Sequence, residues 1–340
     1  MRAFSKSSIL PVLIGLAVVA AVAVGVIVVI RMDPTGRSGS GLGERFAYDL
    51  EGVRKIKPEL ISHARAARIV TGFKSARGIA AGPDGRIYVA GDKAVRIFDA
   101  TGKRLSEIQL SRPPGCLAVA GDGTMYVAVG DRVDVWDASE RTWAHWPPLG
   151  GKSQITCIAV GAADVFAADY GLRVVHRYDT SGKLLGRVVP RDADGAAGTF
   201  NIPSPYFDVA ITPDGLLAVA NTGERRVETY TFAGEPRARW GHSSTEVAGF
   251  AGCCNPAQMA ILPDGRVVTS EKGIPTVKIY SPAGRLESVV ATAEMLAGLP
   301  EQCGSPYRPI GLDVAVDPSG RVLVLDPGGN VGIFTRKETK

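Results

Sequence analysis

One pattern recurs six times after residue 76, and it constrains the fold of this 340-residue chain more than any other feature. Each unit carries an apolar run, a turn that is Asp-Gly in most units, and a second apolar run ending in an acidic residue or Asn. A third run, a Gly turn and a fourth run follow. The first unit shows the pattern whole, as GIAAGPDG, RIYVAGD, KAVRIFDATG and KRLSEIQL. The others align on the first turn as CLAVAGDGTMYVAVGDRVDVWD, CIAVGAADVFAADYGLRVVHRYDTSGK, DVAITPDGLLAVANTGERRVETYTFAGE, QMAILPDGRVVTSEKGIPTVKIYSPAGR and DVAVDPSGRVLVLDPGGNVGIF. Short apolar runs separated by Gly turns read as strands joined in hairpins. A repeated four-strand unit cannot bury its faces alone, so the units must stack, and radial stacking gives an all-β, six-bladed β-propeller. The 41 glycines and 22 prolines, spread along the chain, suit that many turns.

The last unit stops after its third strand at Lys340. An open sheet edge invites aggregation, so a strand must be borrowed. Glu59–Val70 (ELISHARAARIV) lies before the first unit and is the natural donor. The propeller is therefore expected over residues 59–340.

The N-terminus is of another kind. Arg2 and Lys6 precede Ile9–Ile30, 22 residues without a charge. As a helix they would span roughly 33 Å, enough for a bilayer core. A cleaved signal peptide is the competing reading, and Ala21-Val22-Ala23 suits its cleavage pattern, but the apolar run continues past it to Ile30. Residues 1–31 are read as a cytoplasmic stub and transmembrane anchor. Residues 32–58 are read as a linker, Gly/Ser-rich over Met32–Glu44. The chain is thus expected to be a single-pass membrane protein with its propeller outside the cytoplasm, contacting the membrane through residues 9–30. A net charge of +5 with no Lys/Arg run gives no footprint for nucleic acid.

The segments PDGRIYVAGDKAVRIFDATG and PDGRVVTSEKGIPTVKIYSPAG resemble the NHL repeat, over roughly residues 59–340. That resemblance implies the propeller fold. It leaves activity open, since NHL propellers serve as binding platforms for proteins or nucleic acids and in a few cases as enzymes. Function has to come from the site.

In a propeller the first strand of each blade lines the channel. Its entry position reads Gly78, Cys116, Cys157, Asp208, Gln258 and Asp313 around the six units, and two residues on every unit has alanine, from Ala80 to Ala315. The ends of the second strands bring Asp92, Asp131, Asp169, Asn221, Glu271 and Asp326 to the same mouth. Asp and Asn at such points also bond to loop amides, which is the plainer role for each of them. Successive entry positions are 38 and 41 residues apart at first, then 51, 50 and 55. The excess lies in Val189–Phe207, Gly241–Ala257 and Ala291–Leu312, so a functional face is expected over blades 4–6. The residues expected to bind a ligand there are Asp208, Asn255, Cys253, Cys254, Glu271, Lys272, Cys303, Tyr307, Arg308, Asp313 and Asp326.

Outside the cytoplasm thiols oxidise, and Cys303 is expected to pair with Cys253 or Cys254. No paired Cys-x-x-Cys spacing supports a four-cysteine zinc site. The three-histidine zinc of the amidating lyase with an NHL-like propeller fits badly, because of four histidines only His242 falls at the mouth. Calcium in the channel, as in gluconolactonase-like propellers, would draw on Asp208, Asn221, Glu271, Asp313 and Asp326. The leading reading is a membrane-tethered module that binds a protein or small molecule. The alternative is a metal-dependent lactonase or lyase at the channel mouth, with calcium or zinc.

Overall fold

The computed structural model describes residues 9–32, 55–191, 194–296 and 312–338. The chain divides into two units, Met1–Leu50 and Glu51–Lys340. The first contains α1 (Ile9–Met32), whose side chains are described over 13–28 and are exposed throughout. Among the described residues no helix is long and apolar enough to cross a membrane.

The second unit consists of six four-stranded antiparallel sheets, so the sixfold reading of the sequence holds. Blade 1 is β2 to β5 (Ala76–Ala81, Ile87–Gly91, Ala94–Phe98, Arg104–Gln109). Blade 2 is β6 to β9 (Leu117–Val119, Met125–Val129, Arg132–Asp137, Thr142–His145). Blade 3 is β10 to β13 (Ile155–Val160, Asp164–Asp169, Val174–Asp179, Leu184–Val188). Blade 4 is β14 to β17 (Val209–Ile211, Leu217–Asn221, Arg226–Tyr230, Pro236–Trp240). Blade 5 is β18 to β21 (Gln258–Ile261, Val267–Glu271, Thr276–Tyr280, Leu286–Ala291). Blade 6 is β22 to β24 (Asp313–Val316, Val322–Leu325, Asn330–Arg336), completed on its outer side by β1 (His63–Val70). β1 pairs with β24 from His63↔Arg336 to Val70↔Asn330.

The first turns are tight for a local reason. Gly85, Gly215, Gly265 and Gly320 take positive φ, which glycine adopts without a Cβ clash. The preceding side chain closes each loop: Asp317 Oδ1, for example, accepts the amides of Ser319 at 3.0 Å and Arg321 at 2.9 Å. Second strands such as Ile87–Gly91, Met125–Val129 and Leu217–Asn221 are buried along their whole length, because a neighbouring blade covers each face.

The core therefore lies between blades rather than within one sandwich. The residues one after each entry position, Ile79, Leu117, Ile158, Val209, Met259 and Val314, are at most 6% exposed. Burying six such side chains contributes roughly 1.5–3 kcal/mol each. Aromatic rings wedge the outer gaps, as where Trp146 meets Tyr178 at 5.0 Å and Trp240 meets Tyr280 at 5.0 Å.

Candidate functional site

The entry positions form a ring whose members reach forward to the next blade. The Asp208 carboxylate accepts the amide of Val209 at 2.9 Å and, from blade 5, the amide of Met259. Asp313 accepts Val314 N at 2.8 Å and Ile79 N of blade 1 at 2.9 Å. Cys157 donates its thiol to Val209 O of blade 4 at 3.4 Å, and Cys116 lies against the backbone of Ala128 in its own blade and of Ile158 in blade 3. At Gly78 a Cβ would stand 3.1 Å from Cys116 Cα and from the Leu117 side chain, so the forward contact leaves little room for one. Inner strands carry edge amides with no partner strand, and each such group must find an acceptor. The carboxylates supply acceptors between blades.

Burial dominates the electrostatics of this ring. It pushes the Asp208 carboxyl up to about 6, against the hydrogen bonds from Cys157, Met259 and Val209. Burial and then the charge on Asp208 push Asp313 up to about 7, against the amides of Ile79 and Val314. The same burial and the same two carboxylates raise the Cys116 thiol well above its usual range, and burial with Asp208 and Cys116 does so for Cys157. These thiols are protonated packing groups rather than nucleophiles.

The second-strand ends tie down the incoming loops. Asp92 accepts Lys74 N at 3.1 Å and Ser75 N at 2.9 Å; Asp131 accepts Gly150 N at 3.0 Å; Asn221 Oδ1 accepts Asn201 N at 3.0 Å. Asp326 instead accepts Asn330 N at 2.9 Å, within its own loop. Asp169 accepts Gln154 N at 2.9 Å and lies 3.1 Å from His176 Nε2, both side chains fully buried. Burial raises this carboxyl, but the bonds from His176 and the backbone amides outweigh it and hold it at about 2. Glu271 is ion-paired with Lys278, each about 5% exposed, and Lys278 Nζ also donates to Gly249 O at 2.9 Å. Burial raises the Glu271 carboxyl, opposed by Lys278.

These engagements bear on the calcium expectation. Asp208, Asn221, Glu271, Asp313 and Asp326 are each occupied by amides or an ion pair. Among the described residues no three His, Cys, Asp or Glu side chains stand together as a metal requires. The donor set does not fit a calcium ion.

The long loops serve both core and surface. Phe200, Ile202 and Phe207 of the blade-4 loop and Phe250 of the blade-5 loop are 1% exposed or less. The rest is held by polar and ring contacts. Asn255 donates to Ala251 O at 2.6 Å and Lys272 O at 3.1 Å, and accepts Lys272 N at 3.0 Å. Lys272 Nζ lies 4.4 Å from the centre of the Tyr206 ring and donates to Ser204 Oγ at 3.1 Å. Charge over an aromatic face is attractive, so Lys272 joins the two loops. Cys253 is exposed and Cys254 buried beside this junction. Of the residues expected at the site, Asn255, Lys272, Cys253 and Cys254 share one patch. Asp208 and Asp313 lie in the channel ring, and Glu271 and Asp326 are turned into structural bonds. Cys303, Tyr307 and Arg308, with the expected pairing of Cys303, lie outside the described residues.

A feature absent from the sequence reading is an open funnel of about 360 Å³ at the opposite mouth. It is lined by the ends of the first strands and by Pro83, Pro213, Pro263 and Pro318. The signal for it was the proline that recurs ahead of four of the first turns. Its polar groups are consumed locally: Asp317 by Ser319 and Arg321, Thr212 Oγ1 by Leu216 O at 3.1 Å. It offers shape without an orienting charge.

The folded unit is thus a six-bladed β-propeller with two inter-blade carboxylates at one mouth and an open funnel at the other. It is similar to the structure of a streptogramin B lyase, with a TM-score of 0.54 at 11% identity, over 81% of this chain and 98% of that one. At that identity the likeness shows the fold alone. No protein-family model matches the sequence, and no curated protein matches it.

Proposed function

We propose that this protein is a membrane-tethered binding module of NHL-repeat type that works outside the cytoplasm. Its ligand, a protein or small molecule, is captured on the loop face of blades 4–6. The observation that carries this reading is the Lys272 junction: two long loops from neighbouring blades are fixed to each other and to the scaffold, leaving a rigid polar surface. Preorganised loops on a rigid frame spend little entropy on binding.

Tethering rests on α1. The sixteen positions with described side chains reach only about 24 Å, short of a core of about 30 Å. The helix itself runs 24 residues, about 36 Å, and its sequence is uncharged from Ile9 to Ile30. The NHL reading rests on the Pro-Asp-Gly turns of blades 1, 4 and 5.

Two measurements test the proposal. The full chain should sediment with membranes, and a chain beginning at Glu44 should remain soluble and folded; membrane association of the shorter chain would remove the single-anchor reading. A photo-crosslinking residue at Thr245, on the loop face, should trap a partner in solubilised membranes. The same residue at Asp264, in a first turn at the other mouth, should not. Equal trapping would refute the choice of face.

The lyase or lactonase alternative is favoured by one observation, the two buried carboxyls Asp208 and Asp313, whose pKa values burial raises. Perturbed acids collect at active sites. Here both carboxylates accept two backbone amides, which explains their placement without a substrate.

A further inference from the structure

The exposed end of the blade-5 loop holds an arrangement that neither blade packing nor the Lys272 junction requires. Cys253 and Cys254 are consecutive, and their sulfurs lie 3.2 Å apart. Cys253 is exposed, whereas Cys254 is 2% exposed. The turn that presents them is fixed on both sides. Gly252 takes a φ of +77°, and Asn255 makes three hydrogen bonds to Ala251 and Lys272. The ammonium of Lys272 is the positive charge that acts on the Cys253 sulfur.

We infer that Cys253 and Cys254 form a thiol–disulfide exchange site, in which exposed Cys253 reacts first with a low-molecular-weight disulfide and buried Cys254 completes a reversible vicinal bond. The chemistry closes without another reagent. The Cys253 thiolate attacks one sulfur of the small disulfide, forming a protein–small-thiol bond and releasing one small thiolate, which takes a proton. The Cys254 thiolate then attacks the Cys253 sulfur and expels the second small thiol. Two protein thiols are oxidised and one small disulfide is reduced to two thiols. An accessible attacking sulfur with a shielded partner in contact is the division of labour that exchange needs. The vicinal ring strains the peptide between the two residues, and strained bonds are the readily reversed ones. Closing it would reshape the turn that Asn255 couples to Lys272, so the redox state of the pair is transmitted to the loop face.

The pH dependence of the first step follows from the surroundings of Cys253. Its thiol is raised above the usual range first by its contact with Cys254 and then by burial, with Lys272 opposing. Below that range the thiolate fraction, and so the exchange rate, rises about tenfold per pH unit.

The test uses the full chain, treated with oxidised glutathione and then alkylated without reductant. Arg239 and Arg266 bound a tryptic peptide that contains both cysteines and excludes Cys303. That peptide should appear unalkylated and lighter by two hydrogens, while Cys303 alkylates. Between pH 7 and pH 8 the loss of alkylatable thiol should accelerate about tenfold. Cys254→Ser should stop at the first stage and retain glutathione on Cys253; Cys303→Ser should change nothing. The proposal is overturned if the peptide is recovered crosslinked to the one holding Cys303. It is equally overturned if both thiols still alkylate after excess oxidised glutathione, or if the Cys254→Ser chain carries no adduct.

Discussion

The ring of inter-blade bonds makes an unusual demand on pH. Asp208 and Asp313 have folded-state values of about 6 and about 7, against 3.8 unfolded. Between these limits the folded chain holds more protons than the unfolded one, so stability falls as pH rises. Their contribution is fully present below 3.8 and is lost by the time pH passes about 7. From pH 5 to pH 8, at about 1.4 kcal/mol per unit, Asp208 removes about 1.4 and Asp313 about 2.8 kcal/mol, an upper bound of about 4 together. His63 runs the other way. Burial first, then Arg336, Arg266 and Lys337, lower it to about 4, so its stabilising contribution is lost as pH falls below 6.5. On the chain beginning at Glu44, His63→Gln removes that opposing slope. Urea unfolding at pH 5, 6, 7 and 8 on this background should then show stability declining by up to about 4 kcal/mol. Adding Asp313→Asn should flatten more than half of the decline, with a pH-independent penalty of about 1 kcal/mol for the amide it can no longer satisfy. A stability that is flat or rising over this range on the His63→Gln background would refute the reasoning. So would a slope unmoved by Asp313→Asn.

Three further outcomes follow from the packing. Deleting 59–70 removes β1 and its register with β24, and should sharply lower the unfolding midpoint, whereas deleting 33–43 should leave it unchanged; equal midpoints by calorimetry would contradict ring closure by β1. Lys278→Met leaves Glu271 as an unpaired buried charge and should cost about 3–5 kcal/mol in urea unfolding, while the double Lys278→Met, Glu271→Met change should recover most of it. Gly171→Ala would set a Cβ 1.7 Å from the Lys152 carbonyl oxygen and should cost about 3 kcal/mol, read as a lower thermal midpoint.

The fold was legible because its signals are local. An Asp-Gly or Ser-Gly turn fixes a hairpin within four residues, and five such turns, in phase with a sixth at Gly161–Asp164, leave no compact alternative to blades. The site was legible only in part, because its chemistry depends on partners from other blades. Nothing near Asp208 in the sequence says that Met259, 51 residues on, will donate to it. Nor does Asp313 reveal Ile79 at a separation of 234. The excess lengths of the blade-4 and blade-5 loops were visible. That Phe200, Ile202, Phe207 and Phe250 would turn inward was not, since an apolar residue in a loop can equally mark an exposed contact. The funnel is not legible in the sequence, because a proline ahead of a tight turn is accounted for by the turn alone.

The junction between blades 6 and 1 is where the polypeptide's two ends of the ring meet, and it is fastened twice. On the outer radius β1 lies against β24 and leads directly into blade 1. On the inner radius the Asp313 carboxylate holds the Ile79 amide. A panel secured along one edge swings; one secured along both edges must be torn. The seam therefore resists twisting as well as pulling apart, and a force applied through the residues ahead of β1 is spread into two blades at once.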